Sequence, residues 1–115
     1  MVGMSKPRVN ESNIEKYFVW TVERMGGTAY KFRSPNHRGV ADRVACLPDG
    51  SVWFVELKAD GGRLAPLQQL FAMRMKALKQ NYTVLWTKTE IDQWASRLDL
   101  TKTTPSRSST SATAP

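Results

Sequence analysis

Ser51-Val52-Trp53-Phe54-Val55-Glu56-Leu57-Lys58 is an apolar run that ends in an acid and a base. β-branched and aromatic residues dominate it and Pro48-Asp49-Gly50 supplies a turn before it, so it reads as the second arm of a hairpin. Strand side chains alternate, which puts Glu56 and Lys58 on one face and Val55 and Leu57 on the other. A carboxylate and an ammonium at the end of a greasy strand are costly to desolvate unless something uses them. With Asp42 on the preceding segment the set becomes two acids and a lysine, which can hold a hard divalent cation and activate water beside it.

Working outward, Asn10-Glu11-Ser12-Asn13 supplies capping residues, and Ile14, Phe18, Val22 and Met25 follow at helical spacing. This predicts an amphipathic helix over 12–25, ended by Gly26-Gly27. Residues 28–33 and 40–47 read as strands, separated by the polar loop Ser34-Pro35-Asn36-His37-Arg38-Gly39. After the loop 59–63, Pro66 opens a helix to about residue 80, with Leu67, Leu70, Phe71, Met75 and Leu78 expected to face inward. Residues 82–87 form a fourth strand. Thr89 is a plausible cap for a last helix striped by Ile91, Trp94, Ala95 and Leu98. The order α-β-β-β-α-β-α predicts an α/β fold, a three-layer sandwich around a small mixed sheet flanked by helices.

Composition narrows the class. A chain of 115 residues, 41% hydrophobic and 23% charged, is one ordinary globular domain. No apolar stretch is long enough to span a bilayer, and the N-terminus lacks a signal-peptide core. One cysteine, Cys46, supports no disulfide framework, which fits a reducing cytoplasm. One histidine and one cysteine leave no ordinary zinc site, so a metal would be oxygen-ligated. The net charge is +7, and with Lys102 and Arg107 assigned to the tail, residues 1–100 keep fifteen bases against ten acids. That surplus favours a polyanionic partner, and nucleic acid is the commonest. Residues 1–10 look like a flexible basic arm (Lys6, Arg8), and residues 101–115, rich in Ser and Thr, look disordered.

The ordered set of a helical Glu (Glu15 or Glu11), Gly26-Gly27, Lys31, Gly39-Val40-Ala41-Asp42-Arg43, a hairpin, Phe54-Val55-Glu56-Leu57-Lys58 and Leu64-Ala65-Pro66-Leu67-Gln68 resembles the PD-(D/E)XK nuclease superfamily. Within it the chain is most similar to the VRR-NUC domain, in its stand-alone phage and bacterial versions related to Holliday-junction resolvases. The resemblance covers about residues 11–88 and implies a restriction-endonuclease-like nuclease domain over 11–100.

It further implies a metal-dependent DNA endonuclease using Mg2+, with Mn2+ able to substitute. Asp42 and Glu56 would be direct ligands, joined by the backbone carbonyl of Leu57. Glu15, slightly preferred over Glu11, would add a carboxylate from the helix. Lys58 would orient or deprotonate the attacking water, and Gln68 would position water or a metal-bound group. The cation and Lys58 would hold both carboxylates ionised. Lys31, Arg33, Ser34, Arg38 and Arg43 would contact phosphates without choosing sequence. His37 has no evident orienting partner, which argues against a general-base role. The four tryptophans fit core or interface better than base stacking.

Stand-alone relatives imply a homodimer acting on branched DNA such as four-way junctions, within a bacterial or phage-infected cytoplasm, with no separate recognition subunit. Two alternatives stay open: a non-catalytic nucleic-acid-binding module on a nuclease scaffold, and a small nicking or restriction-type nuclease for linear duplex. Ala41 and Ala65 depart from the family's usual proline and helix-capping serine, the second at about 1 kcal/mol of capping.

Overall fold

The computed structural model describes residues 10–34, 37–59 and 61–98. The expected basic arm short of Asn10 and the Ser/Thr-rich tail lie outside the described residues, as do Pro35, Asn36 and Asp60. Seven elements follow in the order α1 (Glu11–Arg24), β1 (Thr28–Lys31), β2 (Arg43–Cys46), β3 (Val52–Leu57), α2 (Pro66–Ala77), β4 (Asn81–Leu85) and α3 (Lys88–Leu98). The sheet order is β1-β2-β3-β4. The first three strands are antiparallel and β4 runs parallel to β3. This is the α/β sandwich and mixed sheet that the sequence predicts.

Local chemistry sets the boundaries. Asn10 caps α1 by accepting from the Asn13 amide at 2.9 Å. At the other end Gly26 takes φ +92° and Gly27 donates to the Val22 carbonyl at 3.0 Å, closing the helix as a left-handed cap does. In the hairpin, Gly50 at φ +90° donates to the Leu47 carbonyl at 2.9 Å. Strands β1 and β2 are shorter than the apolar patterns 28–33 and 40–47. Residues 40–42 precede the ladder of β2, although Asp42 already donates to the Val55 carbonyl at 3.0 Å. The cap of α3 is Thr87, two residues earlier than expected, whose hydroxyl accepts from the Glu90 amide at 3.0 Å.

One sheet face is packed by α1 and α3. Ile14, Phe18 and Val22 meet Ile91 and Trp94 over Ala29, Ala45, Val55, Leu57 and Leu85. The Phe18 and Trp94 rings lie 5.2 Å apart and Trp53 meets Trp94 edge-on. Fully burying each such aliphatic or aromatic side chain stabilises by about 1.5–3 kcal/mol, so this face carries most of the fold's stability.

The opposite face is covered by α2 and is thinner. Phe71 packs among Phe32, Phe54 and Tyr82, yet no residue of α2 is buried. The expectation that Leu67, Leu70 and Leu78 face inward is corrected, for they are 46%, 55% and 57% exposed. The inward stripe is Gln68, Phe71, Ala72 and Met75, all half-buried. A polar residue occupies the first inward position, so hydrophobic periodicity alone points the helix one residue out of phase.

Candidate active site

Register places the acids. Arg43 pairs with Val55 and Val44 with Phe54, so alternation sends Asp42, Val44, Phe54 and Glu56 to the α2 face and Arg43 to the α1 face. Asp42 is held at both ends of its backbone, donating to Val55 and accepting from the Phe32 amide at 3.0 Å. Its Oδ2 accepts from the Leu57 amide at 2.8 Å. Lys58 continues the ladder to β4, donating its amide to the Leu85 carbonyl at 3.0 Å. The two acids are thus fastened to adjacent strands at one end of the sheet.

Glu56 is only 1% exposed. Its Oε2 accepts from Gln68 Nε2 at 2.8 Å and lies 3.7 Å from Lys58 Nζ. Its Oε1 is buried with no hydrogen-bond partner. Burial and the Asp42 charge push the Glu56 carboxyl up to about 8, against the opposing pull of Lys58. The negative charge of Glu11, on the first turn of α1, adds to the same rise. Burying this acid with an oxygen that receives no hydrogen bond is costly, and a positive charge beside it would lower that cost.

Gln68 has two duties. While its amide nitrogen serves Glu56, its Oε1 accepts from the Ala65 amide at 2.8 Å. It thereby supplies half of a capping box where Ala65 itself offers no side-chain cap. Gln68, expected to position water or a metal-bound group, holds one oxygen of Glu56.

The helical glutamates behave differently from expectation. Glu15 Oε2 accepts from Arg43 Nε at 2.8 Å and Lys31 Nζ at 3.3 Å, on the sheet face away from Glu56. Arg43 also donates to the Ala29 carbonyl at 3.0 Å. Glu15, Lys31 and Arg43 therefore form an ion-pair cluster under α1. Glu15, expected in the metal shell, and Lys31 and Arg43, expected on phosphates, are here paired with one another instead. Among the described residues no group of three or more His, Cys, Asp and Glu side chains converges. Glu11 reaches Glu56 through charge alone. Burial works to raise the Glu15 pKa, but Arg43 and Lys31 win and hold it below the usual carboxylate range.

Arg33 and Arg38 remain exposed on the loop before Asp42. Ser34 Oγ lies 3.4 Å from His37 Nδ1, a partner that the sequence did not suggest. Two further residues belong to the site's surroundings. Tyr82 pairs with Phe54 on the site face, and burial together with the Glu56 and Asp42 charges pushes its phenol up to about 12. The Trp86 indole donates to the Gly62 carbonyl at 3.0 Å, pinning the loop that follows Lys58. Neither was legible beforehand, because each depends on β4 lying parallel beside β3. The only signal was a polar-tipped aromatic at either end of that strand.

No family model matches the chain. A solved structure described as a VRR_NUC domain superposes with a TM-score of 0.71 at 26% identity, covering 75% of this chain and 94% of that one. "Putative nuclease p44" of Acyrthosiphon pisum secondary endosymbiont phage 1 is 46% identical over 77 residues, which is 67% of this chain and 83% of the relative. The chain belongs to the VRR-NUC nuclease family. In this VRR-NUC nuclease Asp42 stands just before β2, Glu56 on β3, Lys58 just after it, and Gln68 on the first turn of α2. No helix among its described residues is long and apolar enough to cross a membrane.

Proposed function

We propose that the chain is a divalent-metal-dependent endodeoxyribonuclease that hydrolyses phosphodiester bonds in branched DNA. One observation carries this reading: the buried, unpartnered Oε1 of Glu56 beside the Asp42 carboxylate, with Lys58 alongside. The donor set fits a small hard cation such as Mg2+, with Mn2+ an acceptable substitute. It offers carboxylate oxygen from Asp42 and Glu56 and the backbone carbonyl of Leu57, and no sulfur or imidazole. When bound, such an ion supplies Lewis acidity toward the phosphoryl oxygens and makes water nucleophilic near neutral pH.

The protein's own groups do the rest. Gln68 fixes Oε2 of Glu56, leaving Oε1 as the free ligand atom. The Leu57 amide occupies Oδ2 of Asp42, so Oδ1 is the oxygen left to face the cation. Lys58, 14% exposed at its side chain, is screened enough to orient the attacking water and to offset charge on the phosphoryl group. Exposed Arg33 and Arg38, with Ser34, hold flanking phosphates. A two-fold dimer of such chains would match the two-fold symmetry of a four-way junction, and a phage-related intracellular setting agrees with the absence of a disulfide framework.

The test is incubation of the purified chain with four-way-junction, flap, nicked and linear duplex DNA, with and without Mg2+ or Mn2+. Metal-dependent cutting that favours the junction, lost in Asp42→Ala, Glu56→Ala and Lys58→Ala, is the expected result. Cutting that continues unchanged in chelator removes the mechanism. Equal cutting of linear duplex removes the branched-DNA preference, and tight binding without cutting reduces the chain to a scaffold.

A further inference from the structure

Beside the carboxylates lies a second feature that the hydrolytic reading does not use. A cavity of about 540 Å3 opens between α2 and the segment from His37 to Val40. Its floor is Phe32, Leu67, Leu70 and Phe71, and its rim carries Arg38 and Arg74. That size falls in the range of sites that enclose a small ligand, about 300–1,000 Å3. Among the described residues lining it there is no carboxylate.

We propose that this groove receives one unpaired nucleotide of the DNA substrate, its base against the leucine and phenylalanine floor and its phosphates on Arg38 and Arg74. The proposal rests on the DNA-nuclease reading and adds a ligand subsite to it. The position favours it. Leu67 precedes Gln68, whose amide holds Glu56, and a Cβ on Gly39 would meet the Leu67 carbonyl group at 2.5 Å. The groove wall therefore packs directly against the segment that leads into Asp42, and Leu67 on that wall adjoins the residue that holds Glu56.

The chemistry favours it too. Leu67 and Leu70 are about half exposed, and a phosphodiester backbone alone would give such side chains nothing apolar to cover. A nucleobase offers a flat apolar face on a chain that also brings negative charge, which suits an apolar floor with a cationic rim. Branch points and bulges supply bases whose unstacking costs least. A second copy of this chain is the less favourable occupant: α2 carries Arg74 and Lys76 and no acid, so two-fold pairing of this face sets like charges together.

Three duplexes decide it, measured by fluorescence anisotropy in chelator so that nothing is cut: fully paired, with one bulged adenosine, and with a bulged abasic residue in its place. The adenosine bulge should bind about tenfold more tightly than either of the others, the scale of one base–side-chain stack. Leu70→Glu and Leu70→Ser, both at an exposed position that a thermal melt will show to be tolerated, should erase that preference. Arg74→Ala should weaken both bulged duplexes more than the fully paired one.

An abasic bulge that binds as tightly as adenosine shows that the protein reads distortion and overturns the subsite, as does a preference that survives Leu70→Glu. So does sedimentation of the wild type as a dimer that Leu70→Glu splits, which assigns the leucines to a second copy. Junction cutting with Mn2+ is scored separately. Cutting without the bulge preference sinks only the subsite, and the preference without cutting sinks only the catalytic reading.

Discussion

Gln68 Nε2 donates to Glu56 Oε2 at 2.8 Å while its own Oε1 accepts from the Ala65 amide at 2.8 Å. One side chain thus begins α2 and restrains the buried acid. Gln68→Ala should lose both bonds, costing about 1–3 kcal/mol of stability, and should slow cutting about 10–100-fold, as loss of a group supporting a metal ligand does. Gln68→Glu should be worse for cutting, because it sets a third carboxylate against Glu56. Thermal melts and single-turnover rates on one substrate separate the two effects.

Glu56 titrates high, with consequences of definite sign. The unfolded chain releases this proton near the ordinary glutamate value of 4.5, whereas the folded protein keeps it until about 8. Between those limits the folded state holds more protons, so stability falls as pH rises. Glu56→Gln should flatten that slope in melts recorded without metal from pH 5 to 8. A bound cation must displace the same proton, so Mn2+ affinity measured by calorimetry should rise about tenfold per pH unit up to about 8.

Two glycines offer a matched comparison. Gly39 and Gly50 both take positive φ, at +81° and +90°. A Cβ at Gly39 would meet the Leu67 backbone at 2.5 Å, whereas one at Gly50 would meet nothing within 4 Å. Gly50→Ala should cost only the left-handed backbone penalty, about 1–2 kcal/mol. Gly39→Ala should cost clearly more and should also slow cutting, because it pushes the Asp42 segment off the turn that bears Gln68. Equal losses in the two variants would refute the close approach.

The cluster under α1 should be structural. Its Glu15 carboxyl titrates below the ordinary range, so its contribution is present above the unfolded pKa and disappears as pH falls through the folded one. Glu15→Gln should therefore lower the melting temperature at pH 7 and matter less in acid, while leaving Mn2+ affinity near wild type. A large loss of metal affinity would return Glu15 to the metal shell.

Much of this was legible in the chain itself, for reasons that differ between elements. Strand β3 announced itself because its apolar side chains and its turn agree, and α1 because Ile14, Phe18 and Val22 are both periodic and buried. Asp42, Glu56 and Lys58 could be grouped because a hairpin forces neighbouring strands into register. The phase of α2 was hidden, since Gln68 spends an inward position on a hydrogen bond rather than on packing. The roles of Glu15 and Arg43 were hidden as well. Both are charged residues close in the chain to other acids, Glu11 and Asp42, and only the face of the sheet distinguishes a ligand from an ion pair. Tyr82 and Trp86 depend on which strand lies beside β3, which local patterns do not encode.

The absence of any fully buried side chain on α2 bears on motion. Segments with little interior contact open locally long before a protein unfolds. Amide hydrogens of residues 70–77 should exchange with deuterium well ahead of those of Val55 and Leu57, whose side chains are wholly enclosed. The glutamine bonded to Glu56 therefore rides on the helix expected to lift away first, and its loosening would act as a door to the end of the sheet that bears Asp42 and Glu56.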